Sequence, residues 1–301
     1  MLRLGLCCGF VAQEGLRFRT TTARYASGLA PHARRRLLHE LAEHNVETLG
    51  AAIAWCAAHG IGAFRIPSGL LPMYTHPEIG WRLSRARAIA TALRAVGDEA
   101  GKVGVRLSFH PDQFVVLGSA TETSVALAVS ELEYQAECAE LVGAEQLTVH
   151  GGGAMPNKEE ALARLRRNLS RLSKRARALF VLENDDRVYT VKDLLPLCRA
   201  EGIPLVYDVH HHRCNPDGLS VSEATSAAAA TWRGREPWMH LSSPAAGWSA
   251  KDTRPHADYI APSDVPREWL PLTATVDIEA KQKELAVLRL RRWLLARARK
   301  S

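Results

Sequence analysis

Histidines and carboxylates in this 301-residue chain gather in short clusters, each following an apolar run. The clusters are Ser108-Phe109-His110-Pro111-Asp112-Gln113-Phe114, Val149-His150-Gly151-Gly152-Gly153, Leu182-Glu183-Asn184-Asp185-Asp186 and Asp208-Val209-His210-His211-His212. Met239-His240-Leu241-Ser242 and Asp277-Ile278-Glu279-Ala280-Lys281 follow, with Pro255-His256-Ala257-Asp258 between them. One histidine at the end of an apolar run is ordinarily a hydrogen-bonded structural residue. Successive runs all ending in His, Asp or Glu are different. If their ends converge, the imidazoles and carboxylates share bonding distance to cations, and cations relieve the repulsion among gathered carboxylates. Mixed nitrogen and oxygen donors without thiolate suit zinc or manganese rather than an iron–sulfur cluster. The donors oversupply one ion, so two or three divalent ions are the economical count. Ions about 3.5–4 Å apart supply a nucleophile, hold phosphoryl oxygens and stabilise a leaving alkoxide, which favours phosphodiester hydrolysis. A sugar isomerase or epimerase is the competing reading, with fewer ions and a pocket closed around a small substrate.

The elements that must position these groups alternate short apolar runs with helix-length stretches. Strands are expected at Leu2–Cys8, Ala63–Pro67, Gly104–Phe109, Gln146–His150, Leu179–Leu182, Pro204–Asp208, Trp238–Leu241 and Ala274–Ile278. Helices are expected over about 33–59, 82–100, 122–142, 157–177, 190–201, 220–232 and 281–299, with a weaker one near 263–270. Continuous apolar strands, each followed by a helix, read as a parallel sheet covered on both faces. Helix-to-strand links are short and centred on Gly60, Gly101, Gly143 and Gly202, where left-handed caps are expected. Strand-to-helix links are long, over 9–32, 67–81, 110–121, 209–219 and 242–262. Long loops all on the carboxyl side of the strands fit an α/β fold: a single (β/α)8 TIM barrel spanning 1–301, with its active site at the C-terminal face.

Composition narrows the class further. Hydrophobic residues are 47% and charged residues 24%, which excludes a disordered, collagen-like or disulfide-framework chain. Cys7, Cys8, Cys56, Cys138, Cys198 and Cys214 form no C-x-x-C pair and read as reduced thiols. The apolar run Leu4 to Ala12 lacks a small-x-small cleavage site, and no run reaches membrane-spanning length, so an intracellular, soluble chain is expected. Net charge is +7, but Arg289, Arg291, Arg292, Arg297, Arg299 and Lys300 follow Glu284 with no acid, leaving +1 for the remainder. Those cations complement a helix C-terminus, so they are poor evidence of DNA binding. The cations expected to matter are Arg17, Arg19, Arg24, Lys158, Arg213 and Lys281. The loop 14–25 interleaves arginines, hydroxyls and aromatics, which suits phosphate contact and base stacking. His32, His39, His44 and His59 read as packing or surface residues, and His76 as either structural or substrate-facing. Strand alternation points His210 and His212 away from His211.

Taken together, these residues resemble the UV damage endonuclease family, which groups with endonuclease IV among three-metal (β/α)8 nucleases. The resemblance runs through Arg3-Leu4-Gly5-Leu6, Phe64-Arg65-Ile66, Arg106 to Gln113, Glu183-Asn184-Asp185, Asp208 to His212, His240, His256 and Glu279 to Glu284. It implies that His110, His150 and Glu183 hold one ion. Glu183 bridges to a second held with Asp208, His240 and Glu279. His211 and His256 hold a third, with Asp258 as an additional ligand. Glu183, His110, His150, Asp208 and Glu279 are then the catalytic set. The implied reaction nicks UV-damaged double-stranded DNA immediately 5′ of a dipyrimidine lesion, with Gln113 and Phe114 inserted where damaged bases flip out. Arg17, Arg19 and Lys281 join Gln113 and Phe114 as DNA contacts. Leu6 and Phe114 stand where some relatives have tyrosine, and Trp238 where some have lysine, so a pocket hydroxyl and a support for the third ion are expected to be missing. A cytoplasmic, nucleoid-associated enzyme without an obligate protein partner is expected. A DNA-binding barrel without catalysis is the remaining alternative.

Overall fold

The computed structural model describes residues 2–299. Eight strands run β1 Leu2–Cys7, β2 Ala63–Ile66, β3 Arg106–Phe109, β4 Leu147–His150, β5 Phe180–Glu183, β6 Leu205–Asp208, β7 Trp238–Leu241 and β8 Ala274–Ile278. Each pairs in parallel with the next, and β8 returns to β1, closing the barrel. Helices α1 Ala23–Ser27, α2 Pro31–Ala58, α3 Arg87–Val103, α4 Glu122–Val142 and α5 Lys158–Asn168 come first around it. They continue with α6 Lys174–Leu179, α7 Val191–Glu201, α8 Val209–Cys214, α9 Val221–Ala230 and α10 Lys283–Ala298. Local signals set several starts: Thr190 with Asp193 and Ser220 with Glu223 form reciprocal capping boxes.

Three expectations give way to local chemistry. The left-handed glycine after α3 is Gly104, at φ +70°, while Gly101 lies inside the helix. The stretch 157–177 is not one helix: Leu172 is extended, and Ser173 opens α6 by accepting from the Ala176 N–H. Over 263–270 the chain makes two 3-10 turns, Pro262–Asp264 and Arg267–Trp269, because Pro262 and Pro266 supply no amide hydrogen to a continuous helix.

Contacts between strands that are not neighbours identify the barrel interior. At its lower end Arg106 of β3 donates to Thr275 Oγ1 of β8 at 2.6 Å, and Arg3 donates to Glu236 at 3.1 Å. Above this lies an apolar tier of Ala63, Val181, Val206 and Trp238, the Trp238 ring lying 4.3 Å from the Arg106 guanidinium carbon. Trp238 therefore reaches down toward Arg106, two residues short of His240, and plugs the barrel below the polar mouth. Gly5 and Asp277 are register partners, and a Cβ on Gly5 would overlap Asp277 Oδ1. Since Gly5 faces the interior, alternation turns Leu6 toward the helices, where it is fully buried in the main core. Leu6 thus does not face the mouth, contrary to its expected place in a substrate pocket. Gly5→Ala should cost about 1–3 kcal/mol through forced displacement of Asp277, read as a lowered urea midpoint. An unchanged midpoint would show that the Asp277 side chain has room to move.

Candidate metal centre

The upper end of the interior is polar and centred on Glu183, the last residue of β5. Its Oε2 lies 2.8 Å from His110 Nε2 and 3.8 Å from His150 Nε2. Its Oε1 lies 2.8 Å from His240 Nδ1 and 3.3 Å from His211 Nδ1. Glu183 is fully buried, which opposes ionisation, but the surrounding rings, His240 and His150 foremost, hold its carboxyl well below the ordinary range. Asp208 closes β6, and its Oδ1 caps α8 by accepting from the His211 N–H at 2.8 Å. Burial disfavours the His211 cation, yet Asp208 and Glu183 carry its pKa well above the ordinary value. Burial lowers that of His150.

Arg65, at the centre of β2, is the residue that sequence reasoning passed over. Its guanidinium donates to Asp277 Oδ2 at 3.0 Å, Glu279 Oε1 at 2.6 Å and His240 Nε2 at 2.9 Å. Burial again opposes ionisation of Glu279, and Arg65 followed by His240 pulls its carboxyl well below the ordinary range. A guanidinium only donates, so His240 Nε2 is the acceptor and Nδ1 carries the ring proton toward Glu183. In that tautomer both ring nitrogens are engaged, and His240 can meet a cation only by giving up one of these bonds. The available signal was the pattern: Arg65 shares the inward side with Ala63, two residues earlier on a strand buried throughout.

Three overlapping sets offer ligand atoms within 4.8 Å of one another: His110, His150 and Glu183; His110, His240 and Glu279; and Glu183, Asp208 and His211. The donor chemistry fits a divalent ion. Asp208 Oδ2 and His150 Nδ1 are buried without a hydrogen-bond partner. Asp208 Oδ2 lies 3.5 Å from His211 Nδ1, too long for a hydrogen bond. Ligands about 2.0–2.2 Å from one zinc ion sit at comparable mutual separations.

In these sets His240 and Glu279 combine with His110, and Asp208 with His211. His240 Nδ1 also lies 3.4 Å from Glu279 Oε1 and 4.0 Å from Asp208 Oδ2. His256 and Asp258 complete no three-ligand set among the described residues. The His256 ring centre lies 6.3 Å from that of His211, and its Nδ1 is 3.7 Å from Glu279 Oε2. The backbone of His256 is fixed by an antiparallel bridge to Pro244, and Asp258 two residues on is exposed.

His210 and His212 are buried beside the site, on a chain already helical from Val209. His212 bonds Tyr207 Oη at 2.6 Å and lies 3.3 Å from Asp217, while His210 Nε2 donates to the Arg254 carbonyl at 3.1 Å. Asn184 braces β6 by bonding both the Asp208 N–H and C=O, at 3.0 and 2.9 Å. His76 is structural: its Nδ1 accepts from the Glu78 and Ile79 amides.

Around the mouth, Gln113 and Phe114 project from the loop after β3, and Phe114 is 81% exposed. Arg17, Arg19, Arg24 and Lys281 are exposed and make no ion pair among the described residues. Lys158 and Arg213 are occupied elsewhere: Lys158 pairs with Asp193 at 2.7 Å, and Arg213 donates to the Asp264 carbonyl at 2.9 Å.

A closed (β/α)8 barrel with overlapping histidine–carboxylate sets at its strand ends defines a barrel protein with a candidate divalent-metal centre. Strand-end sites of this kind serve many chemistries, so the fold leaves the activity open. The chain belongs to the UV-endonuclease UvdE family, whose pattern it matches over residues 2–300. A UV DNA damage endonuclease from Bacillus velezensis is 33% identical over 284 residues, covering 90% of this chain and 86% of that protein. The crystal structure of SacUVDE is similar with a TM-score of 0.88 and 27% identity, covering 98% of this chain and 99% of that one. Endonuclease IV from Thermus thermophilus shares the fold, with a TM-score of 0.65, 19% identity and coverage of 98% and 99%. No helix among the described residues is long and apolar enough to cross a membrane.

Removing Arg65 would leave Asp277 and Glu279 as uncompensated buried carboxylates. Arg65→Met should therefore destabilise metal-stripped protein by about 3–5 kcal/mol in urea unfolding. A change below about 1 kcal/mol would mean that water reaches these acids.

Proposed function

We propose that this protein is a metal-dependent DNA repair endonuclease that hydrolyses the phosphodiester 5′ of UV-induced dipyrimidine lesions in double-stranded DNA. The observation that carries the reading is the sharing of Glu183 and His110 among three ligand sets beneath an exposed Gln113-Phe114 pair. Family membership and the relatives named UV DNA damage endonuclease support it.

His110, His150 and Glu183 would hold one ion, and Asp208 and His211 would join Glu183 around another. His240 and Glu279, both tied to Arg65, would complete a set with His110, and His256 with Asp258 would serve at the margin. Manganese or zinc suits these donors. When bound, such ions supply positive charge to the phosphoryl oxygens and the leaving group. The chain's own residues do the rest. Glu183 fixes three rings about one carboxylate, Asp208 orients His211 through the α8 cap, and Arg65 keeps Glu279 ionised. Phe114 would replace lost base stacking and Gln113 lost pairing when the lesion leaves the helix. Arg17, Arg19 and Lys281 would meet backbone phosphates. Glu183, within 4 Å of His110, His150, His211 and His240, is the natural point of attack for mutation.

Glu183→Gln should abolish nicking of UV-irradiated plasmid while duplex binding stays measurable; full nicking in this variant sinks the metal assignment. Chelation should remove activity, and manganese or zinc should restore it. Nicking that survives exhaustive chelation rules out dependence on divalent ions. Gln113→Ala combined with Phe114→Ala should lose about 1–3 kcal/mol of discrimination between irradiated and intact DNA, with metal content retained. Equal discrimination by the double variant and the parent would refute the insertion role.

A further inference from the structure

The loop after β1 carries Arg17 and Arg19, and its backbone is fixed by side chains from distant elements. Asn45, in α2, is fully buried. Its Oδ1 accepts from the Arg19 N–H at 2.7 Å, and its Nδ2 donates to the Arg19 carbonyl at 2.8 Å and the Leu70 carbonyl at 2.9 Å. His44 Nε2, one residue earlier, donates to the Arg17 carbonyl at 3.0 Å. At the start of the same loop, the fully buried Glu284 of α10 accepts from the Val11 N–H at 2.9 Å and the Ala12 N–H at 2.7 Å. Phe10, just before the Glu284 contacts, and Phe18, between Arg17 and Arg19, stack on Phe64 of β2, with ring centres 6.2 and 6.4 Å away.

The result is an alternation. Phe18 packs inward, while Arg17 and Arg19 on either side project into solvent without an ion-pair partner among the described residues. Holding a buried amide and a buried carboxylate against backbone groups is worthwhile where loop position matters, since an unpaired loop backbone would otherwise be solvated and mobile. Two guanidiniums without ion-pair partners among the described residues, carried on a fixed backbone, lose side-chain freedom but no loop freedom on meeting phosphates.

We propose that Asn45 and Glu284 are positioning residues for DNA binding, clamping the first loop so that Arg17 and Arg19 stand ready as phosphate contacts at the barrel mouth. This rests on the endonuclease reading above. The clamp touches neither the reacting centre nor its ligand sets, so it acts on binding and not on the chemical step.

The test measures duplex binding by the metal-loaded enzyme between 50 and 200 mM salt, beside steady-state nicking and limited trypsin digestion. Each phosphate contact contributes about 0.9 to the slope of log K against log salt concentration. Arg17→Ala and Arg19→Ala should each reduce that slope by about one. Asn45→Ala removes no charge, yet should reduce it by about one to two, raise KM, leave kcat in place and speed tryptic cutting after Arg17 and Arg19. Glu284→Gln, which keeps the side-chain shape, should move the same readings and serves if Asn45→Ala does not fold. A purely structural role would lower the melting temperature and leave slope and KM unchanged; that result overturns the proposal. Unchanged trypsin cutting in both variants overturns the clamp itself. Absence of salt-dependent DNA binding in the parent protein, with cutting still accelerated in the variants, overturns the endonuclease reading and with it the DNA role of the clamp.

Discussion

Four carboxylates, Glu183, Asp208, Asp277 and Glu279, crowd the upper interior of one barrel, and the structure depends on how their charge is met. Arg65 is the permanent cation among them, bonded to Asp277 and Glu279. The rest falls to imidazoles, with His110, His211 and His240 within 3.3 Å of Glu183. A carboxylate isolated in such surroundings would take up a proton, because burial penalises its charged form. For Glu183 and Glu279 the shift runs the other way, because the neighbouring rings and Arg65 outweigh burial. That balance keeps anionic oxygens available at neutral pH at the floor of the site.

The lower barrel separates this site from a second charged network. Arg3, Arg106, Glu236 and Thr275 bond one another at the amino ends of the strands. Trp238 and its small apolar neighbours lie between the two networks, so Arg106 is stacked under an indole and not in contact with the acids above. Lysine at position 238, as in some relatives resembled by the sequence, would put a flexible cation where this chain has a rigid plug. The difference therefore bears on the floor beneath His240 as well as on any ion nearby.

Much of the frame was legible in the sequence because it is set by local rules. Eight apolar runs became eight strands with ends within two residues of expectation, since buried parallel strands tolerate few polar residues along their length. The strand-end histidines and acids were legible for the same reason: each interrupts an apolar run. Arg65 was not, because one arginine inside a four-residue strand carries no sign of the three partners waiting across the barrel. Asn45 and Glu284 were hidden more deeply still. Their partners are backbone amides and carbonyls, which every residue possesses, so no residue type announces the contact. Alternation does not fix the positions of His210 and His212, because Asp208 caps a helix immediately after β6 and alternation ends where the cap begins.

The overall positive charge reads differently once its partners are known. Arg166 and Arg177 pair with Glu201, Arg171 with Glu122, and Arg175 with Glu140. Arg291 donates to the Gly60 carbonyl on the amino-terminal side of the barrel. These cations serve helix packing away from the site. At the mouth the arrangement is radial, with acids and imidazoles at the floor and Arg17, Arg19, Arg24 and Lys281, which make no ion pair among the described residues, on the segments that follow the strands. On the endonuclease reading, flanking phosphates would rest against the rim while one phosphate reaches the floor. The rim supplies attraction that falls with salt, and the floor repels phosphate unless divalent charge offsets its carboxylates. On that reading affinity and chemistry would fall to different residues, so the loop after β1 would change how tightly DNA is held without disturbing the histidines and acids grouped about Glu183.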